Sequence, residues 1–149
     1  MSLDRRAAMA ALMEGRDDNL LVVPGLGSTT WDLAAAGAWL GGQRAALLMQ
    51  SSGVGNCINM LSLIRTCRFP MLMFVTMRGE WEEFNPWQVP MGSIVEPTLK
   101  LCDVEVERAS KPDEVAPLAD AAAQRVFGDD KAVAVLLSQQ LIGKKVWTK

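Results

Sequence analysis

Short apolar runs alternate along the chain with longer segments of helical character, and this alternation limits the fold more than any other feature of the sequence. Runs of strand length occupy residues 20–24, 45–50, 71–77, 104–106 and 132–137. A strand, a helix and a further strand in succession form a βαβ unit, whose two strands are parallel. The sequence therefore predicts an α/β fold with an open, mostly parallel sheet of about five strands and helices on both faces.

Helical patterns fill the intervals between these runs, at residues 3–14, 30–40, 56–66, 94–101 and 112–127. The run at residues 71–77 is almost continuously apolar, as in a strand covered on both faces, so we place it at the centre of the sheet. Residues 78–90 lack periodicity and predict a long loop at the carboxyl end of that strand. Ligands bind at such ends in open α/β sheets.

Length and composition exclude several classes of protein. The 149 residues fit one domain, so residues 1–149 are treated as a single unit. Hydrophobic residues make up 50% of the chain and charged residues 21%, which excludes a disordered protein. The net charge of −2, without a basic stripe, argues against nucleic-acid binding, and no apolar run approaches the length of a membrane span. Neither nucleic acid nor a membrane is expected as a partner.

The chain contains no histidine, which excludes Ser-His and Cys-His nucleophile pairs and histidine-ligated metal sites. Its three cysteines, Cys57, Cys67 and Cys102, are widely spaced and form no CxxC motif. The sequence therefore predicts neither a disulfide framework nor a metal site, and a reducing cytoplasmic location fits best.

Two glycine-containing segments follow predicted strands. Residues 25–28, Gly-Leu-Gly-Ser, lack the third glycine of a dinucleotide-binding motif, because Thr30 stands there, and a tight turn is favoured over an anion site. In residues 49–59, polar side chains crowd the end of a buried strand and glycines permit the close approach of a ligand. The alternative is a turn followed by a helix that Ser52 or Asn56 caps. The residues alone leave both interpretations open.

The predicted loop contains Trp81 and Trp87, which indicate an interface or a pocket wall if they are exposed and a surface loop folded onto the core if they are not. Arg78 either neutralises an acidic substrate or pairs with Glu80. The adjacent Glu82 and Glu83 are predicted to be solvated.

Three segments, taken in order, carry a family resemblance: GAWLGGQRAALLMQSSGVGNCIN, PMLMFVTMRGEWEEFNPWQVPMG and AVAVLLSQQLIGKK. Over residues 37–149 the chain resembles the pyrimidine-binding alpha subunit of the phosphonopyruvate and sulfopyruvate decarboxylases. The resemblance implies the thiamine diphosphate-binding fold of the pyrimidine-domain type. It also implies decarboxylation of a 3-substituted pyruvate, a 2-oxo acid, by an oligomer in which a pyrophosphate-binding beta subunit holds Mg²⁺.

The same resemblance assigns residues to the site. Ser52, Gly53, Gly55 and Asn59 fall on the family's glycine-asparagine loop, which binds the cofactor, and Trp87 and Gln88 fall on the loop that borders cofactor and substrate. Arg78 is the candidate for the acid group of the substrate. No catalytic side chain is assigned, since a cofactor that carries the reactive chemistry asks the protein mainly for orientation.

The first 36 residues depart from the family pattern and are similar instead to the opening of the beta subunit. A glutamate that activates the cofactor precedes the GAWLGG helix in the family, but Gly27, Ser28, Thr29 and Thr30 stand at those places here. A hydroxyl with a pKa far above neutrality cannot replace that carboxylate. Three hypotheses follow: a decarboxylase subunit that needs its partner, a non-catalytic interaction protein of the same fold, and an unrelated nucleotide-binding module.

Overall fold

The computed structural model describes residues 20–24 and 29–143, which hold five strands, five helices and one 3₁₀ turn. The strands are β1 (Leu20–Pro24), β2 (Arg44–Gln50), β3 (Met71–Thr76), β4 (Glu105–Ala109) and β5 (Ala132–Leu137). The helices are α1 (Thr29–Leu40), α2 (Ser51–Cys67), α3 (Val89–Leu101), α4 (Pro112–Asp129) and α5 (Gln139–Ile142), and the 3₁₀ turn is Pro86–Gln88. The predicted helix at residues 3–14 and the predicted turn at residues 25–28 lie outside the described residues.

All five strands are parallel and are arranged in the order β1-β2-β3-β5-β4. The predicted open parallel sheet and the central position of β3 are therefore confirmed. In the register, Gln50 lies beside Thr76 and Thr76 beside Leu137, so β2, β3 and β5 end level with one another. The segments that follow these three strands consequently emerge side by side at the carboxyl edge of the sheet.

Helices cover both faces of the sheet, as predicted. On one face, α1, α2 and α3 bury an apolar layer against Met71, Met73 and Val75 of β3. On the other, Ala122 and Val126 of α4 pack on a second layer that includes Leu72 and Phe74. The methionine-rich strand is thus core, because both sets of its alternating side chains are buried. Among the described helices, none combines the length and apolar character needed to span a membrane.

Several predicted boundaries are wrong at the carboxyl edge. Helix α2 begins at Ser51 rather than near residue 56, and α3 begins at Val89 rather than near residue 94. Glycine and serine favour turns locally, but tertiary contact decides here, since a Cβ added at Gly55 would lie 2.8 Å from Cε of Met91. The close packing of α2 on α3 therefore holds the glycine-containing segment in a helix. The fourth strand also lies later than predicted, at Glu105–Ala109.

Strand β4 forms one edge of the sheet and is charged. Arg125 of α4 donates to Glu105 at 3.0 Å and to Glu107 at 2.8 Å. Arg108 donates to Glu80 at 2.6 Å and to Glu96 at 3.1 Å, which ties β4 to the segment after β3 and to α3. Three of the five residues of this edge strand, Glu105, Glu107 and Arg108, are therefore held in ion pairs.

Residues 77–88, hereafter the β3–α3 loop, have their first and last residues close together in space. Gly79 has a φ of 78°, and a Cβ there would overlap the carbonyl oxygen of Gln88. A Cβ at Gly92 would lie 2.6 Å from the carbonyl oxygen of Gly79. Two glycines thus let the start of the loop touch its end, as in an Ω-loop.

We predict that Gly92→Ala destabilises the protein by about 1–3 kcal/mol, because the new methyl group must displace backbone atoms that cannot rotate away. Gly37→Ala is the matched control: it also lies within a helix, but its Cβ would meet nothing within 4 Å, so it should be neutral or stabilising by up to about 1 kcal/mol. Urea denaturation of both variants measures the difference. Equal stability of the two variants would contradict the close approach.

Candidate functional site at the carboxyl edge of the sheet

The carboxyl edge of the sheet brings together the start of α2, the β3–α3 loop, the start of α3 and helix α5. Met77 continues the pairing with β5 by donating to the carbonyl of Leu137 at 2.8 Å. Gly55 of α2 packs against Met91 of α3, so the first turns of these two helices are neighbours. Both residue groups that the family resemblance assigns to the cofactor therefore lie at this edge.

The predicted glycine-asparagine loop is not a loop in the structure. Ser52, Gly53, Gly55 and Asn59 all lie within the first three turns of α2. Gly53 is buried, Ser52 and Gly55 are half-buried, and Asn59 is exposed. The alternative that Ser52 or Asn56 caps this helix is wrong, because the N-cap is Gln50 and makes no side-chain capping bond. The roles of these residues in binding a cofactor stay predictions.

Two buried polar atoms at this edge have no hydrogen-bond partner within the described residues: Oγ of Ser51 and Oε1 of Gln88. Ser51 is the first residue of α2 and is fully buried, and Gln88 immediately precedes α3. A buried polar atom without a partner costs about 1–3 kcal/mol, so such atoms indicate a place that a polar ligand can satisfy. Sequence analysis selected Gln88 but missed Ser51, whose only signal is its position directly after a buried strand.

The aromatic side chains of the loop are exposed. Trp87, in the 3₁₀ turn, is 70% exposed, and Trp81 is 36% exposed. The interpretation that the tryptophans fold back onto the core is therefore wrong. Exposed tryptophan on an ordered loop is typical of a surface that contacts a ligand or a partner.

Arg78 and Glu83 form a bidentate ion pair at the base of the loop. Nε and Nη2 of Arg78 donate to the two carboxylate oxygens of Glu83 at 2.7 and 2.6 Å. The side chain of Arg78 is 10% exposed and that of Glu83 is 3% exposed. Two predictions are thereby corrected: Arg78 pairs with Glu83 rather than with Glu80, and Glu83 is not solvated. Adjacent glutamates give no signal in the sequence of which one turns inward.

Glu83 accepts three further hydrogen bonds, from the backbone N–H of Gly79 at 3.2 Å, the backbone N–H of Asn85 at 3.0 Å and Nε2 of Gln139 at 2.9 Å. The bonds from Arg78, followed by those from the backbone, lower the pKa of Glu83 to about 2 despite its burial. The same ion pair raises the pKa of Arg78. Both groups are therefore charged at neutral pH, and Glu83 is the most heavily bonded carboxylate in the loop.

The carboxylates of the described residues do not assemble a metal site. No three side chains of the ligating kinds come together anywhere in residues 20–24 and 29–143. The three cysteines, all within those ranges, form no disulfide. What the edge offers a ligand is hydrogen-bonding groups, glycine backbone and exposed aromatic surface.

The fold has a solved counterpart. Benzoylformate decarboxylase from Polynucleobacter necessarius superposes with a TM-score of 0.69 over 97% of this chain, at 11% sequence identity. The superposition covers 35% of that longer chain. This chain therefore shares its fold with part of that decarboxylase.

Curated relatives define the family. Sulfopyruvate decarboxylase subunit alpha of Methanocaldococcus jannaschii is 34% identical over 121 residues, which cover 80% of this chain and 72% of that protein. The subunit of the same name from Methanothermobacter thermautotrophicus is 38% identical over 104 residues, 69% of this chain and 63% of that protein. Phosphonopyruvate decarboxylase of Streptomyces viridochromogenes is 44% identical over 73 residues, 48% of this chain and 18% of that protein. No family model matches the chain. The chain belongs to the family of sulfopyruvate decarboxylase alpha subunits.

The residues at the edge fit the binding of the family's cofactor, thiamine diphosphate, but not its activation. The unpartnered Ser51 Oγ and Gln88 Oε1 suit a polar heteroaromatic ring. The glutamate that the family resemblance implies ahead of the GAWLGG helix has no counterpart in residues 19–31, which contain no Asp or Glu. In the β3–α3 loop, Glu80 is paired with Arg108 and Glu83 with Arg78, while Glu82 is exposed. None of these described side chains is therefore assigned a proton transfer to or from the cofactor.

We predict that the ion pair makes stability depend on pH. Lowering the pKa of Glu83 from 4.5 to about 2 corresponds to roughly 3 kcal/mol of stability, which is present above pH 4.5 and is lost as the pH falls towards 2. Wild type should exceed Glu83→Gln by about that amount at pH 7, and the gap should shrink at pH 3. Urea denaturation at both pH values measures it.

Glu80→Gln is the matched control for that measurement, because it makes the same chemical change in the same loop and leaves the Arg78–Glu83 pair intact. Its ion pair with the half-exposed Arg108 should contribute at most about 1 kcal/mol. If the difference in unfolding free energy between wild type and Glu83→Gln stays constant from pH 7 to pH 3, the lowered pKa of Glu83 is contradicted.

Proposed function

We propose that this chain is the pyrimidine-binding subunit of a cytoplasmic thiamine diphosphate-dependent decarboxylase that acts on a 3-substituted pyruvate bearing a sulfonate or a phosphonate. The observation that carries the proposal is the identity of 34% over 121 residues with a sulfopyruvate decarboxylase alpha subunit. The named activity of the phosphonopyruvate relative supports the wider substrate class. The location of the assigned residues at the carboxyl edge supports the same conclusion.

The subunit acts with a pyrophosphate-binding beta subunit. The names of its relatives, subunit alpha, support a second kind of chain. The described residues offer no cluster of metal ligands, so we assign Mg²⁺ and the diphosphate to the partner. Such an enzyme is an oligomer whose cofactor lies between the two chains.

Each residue of the site has a stated task in this proposal. Ser51 and Gln88 hold the polar edge of the ring, Ser52, Gly53, Gly55 and Asn59 form the helical wall beside it, and Trp87 contacts the cofactor or the substrate. When bound, thiamine diphosphate supplies the electron sink for loss of CO₂. Arg78 acts on the substrate only indirectly, because its guanidinium is buried and paired with Glu83.

We predict that the tagged chain, purified from its source cells in buffer with thiamine diphosphate and Mg²⁺, brings down a pyrophosphate-binding chain. The complex is then assayed for CO₂ release from sulfopyruvate and phosphonopyruvate, with pyruvate as the control substrate. Any CO₂ release is expected to be faster from an acid-bearing substrate than from pyruvate. A complex that binds neither cofactor nor substrate would contradict the proposal.

A second candidate, a non-catalytic interaction protein of the same fold, is favoured by the lack of any Asp or Glu in residues 19–31. The two candidate functions differ in whether the partnered chain supports the release of CO₂. We predict that replacing residues 25–30 by a segment that restores the glutamate implied by the family resemblance raises CO₂ release by the partnered enzyme about 100-fold or more, since a positioned acid–base group contributes that much. The matched control carries glutamine for the glutamate in the same graft. If both grafts leave turnover unchanged, the missing glutamate is not the defect.

A further inference from the structure

The β3–α3 loop is built around a single carboxylate. Glu83 receives donors from both arms of the loop: Arg78 and Gly79 on the arm that leaves β3, and Asn85 on the arm that leads to α3. It also receives Nε2 of Gln139 from helix α5. Five hydrogen bonds from three separate segments therefore converge on one side chain.

Gln139 also binds the backbone of two further loop residues, Glu80 and Trp81. While Nε2 of Gln139 donates to Glu83, its Oε1 accepts from the backbone N–H groups of Glu80 at 3.0 Å and Trp81 at 3.1 Å. Gln139 is 8% exposed, so these bonds are shielded from water. The arm of the loop that leaves β3 is thus fixed to α5 through the side chains of Glu83 and Gln139.

The bond from Asn85 carries the constraint to the candidate site. Asn85 is the N-cap of the 3₁₀ turn Pro86–Gln88, and its carbonyl accepts from the N–H of Gln88 at 2.9 Å. Fixing Asn85 therefore fixes the backbone that carries Trp87 and Gln88. The direct packing of Gly79 on the Gln88 backbone adds a second contact between the same two arms.

We propose that Glu83 is a positioning residue that sets the Trp87–Gln88 segment for contact with the cofactor and substrate of this enzyme, an inference that rests on the proposed function. Trp87 is 70% exposed and so has little packing of its own to hold it. Oε1 of Gln88 is buried without a partner, and an atom in that state binds a ligand well only if its backbone is held in place. Glu83 touches neither the ligand nor the reacting atoms; it acts through Asn85.

The five donors require a carboxylate at position 83, because an amide of the same size cannot accept all five hydrogen bonds. Every group that faces Glu83 is a donor, so the two carboxylate oxygens act only as acceptors. In Glu83→Gln, an amide NH₂ replaces one of the two accepting oxygens. This NH₂ is itself a donor and would face another N–H donor. The variant should release one arm of the loop while it keeps the size of the side chain.

The test compares Glu83→Gln with two controls. Glu80→Gln makes the same chemical change in the loop, and Val126→Ala lowers global stability from the fully buried α4 layer on the opposite face of the sheet. Hydrogen exchange of residues 85–91 is followed in the free chain. The affinity for thiamine diphosphate is measured by calorimetry on the complex with the partner chain and Mg²⁺.

Glu83→Gln is expected to speed exchange at residues 85–91 at least tenfold and to weaken thiamine diphosphate binding at least tenfold, while both controls stay within about twofold of wild type. If Glu83→Gln matches Val126→Ala in both measurements, Glu83 only stabilises the fold and the inference is overturned. Faster exchange with unchanged affinity overturns it as well. A wild-type complex that fails to bind thiamine diphosphate is a different result, because it refutes the proposed function itself.

Discussion

The burial of β3 on both faces is the constraint on which the rest of the structure depends. Its side chains alternate between two apolar layers, and neighbouring strands occupy both of its hydrogen-bonding sides. Polar groups are consequently excluded along its length and collect where it ends, from Thr76 onward. Because β2 and β5 end at the same level, their following segments meet the β3–α3 loop there. The position of the candidate site is thus a consequence of how the core is packed.

Sequence reasoning succeeded where burial alone decides structure. The apolar runs predicted the five strands, the central place of β3 and the layers of helices, because those features follow from hydrophobic periodicity. It failed where contacts between distant residues decide. Gly53 and Gly55 favour a turn by themselves, but both lie within α2, where Gly55 packs against Met91. Glu82 and Glu83 are alike in sequence, and only the approach of Arg78 and Gln139 distinguishes the buried one.

The Arg78–Glu83 pair shows how a buried ion pair defines geometry. Removing two charges from water is costly, so such a pair often adds little stability beyond what an apolar pair would give. Here the pair fixes the positions of the two arms of the loop, because the carboxylate also accepts hydrogen bonds from the backbone of Gly79 and Asn85. An apolar pair of equal volume could fill the space without fixing either arm of the loop. This distinction explains why a charged residue occupies a position that is 3% exposed.

The charged edge strand β4 has a consequence for the behaviour of the protein in concentrated solution. An outermost strand exposes unpaired backbone groups to which a strand of another molecule can add, the first step towards aggregation. On β4, Glu105 and Glu107 pair with Arg125, and Arg108 pairs with Glu80 and Glu96, so three of its five side chains are charged. A strand that added here would have to lie beside these charges and partly desolvate them. The sheet is therefore protected on this side against growth by strand addition.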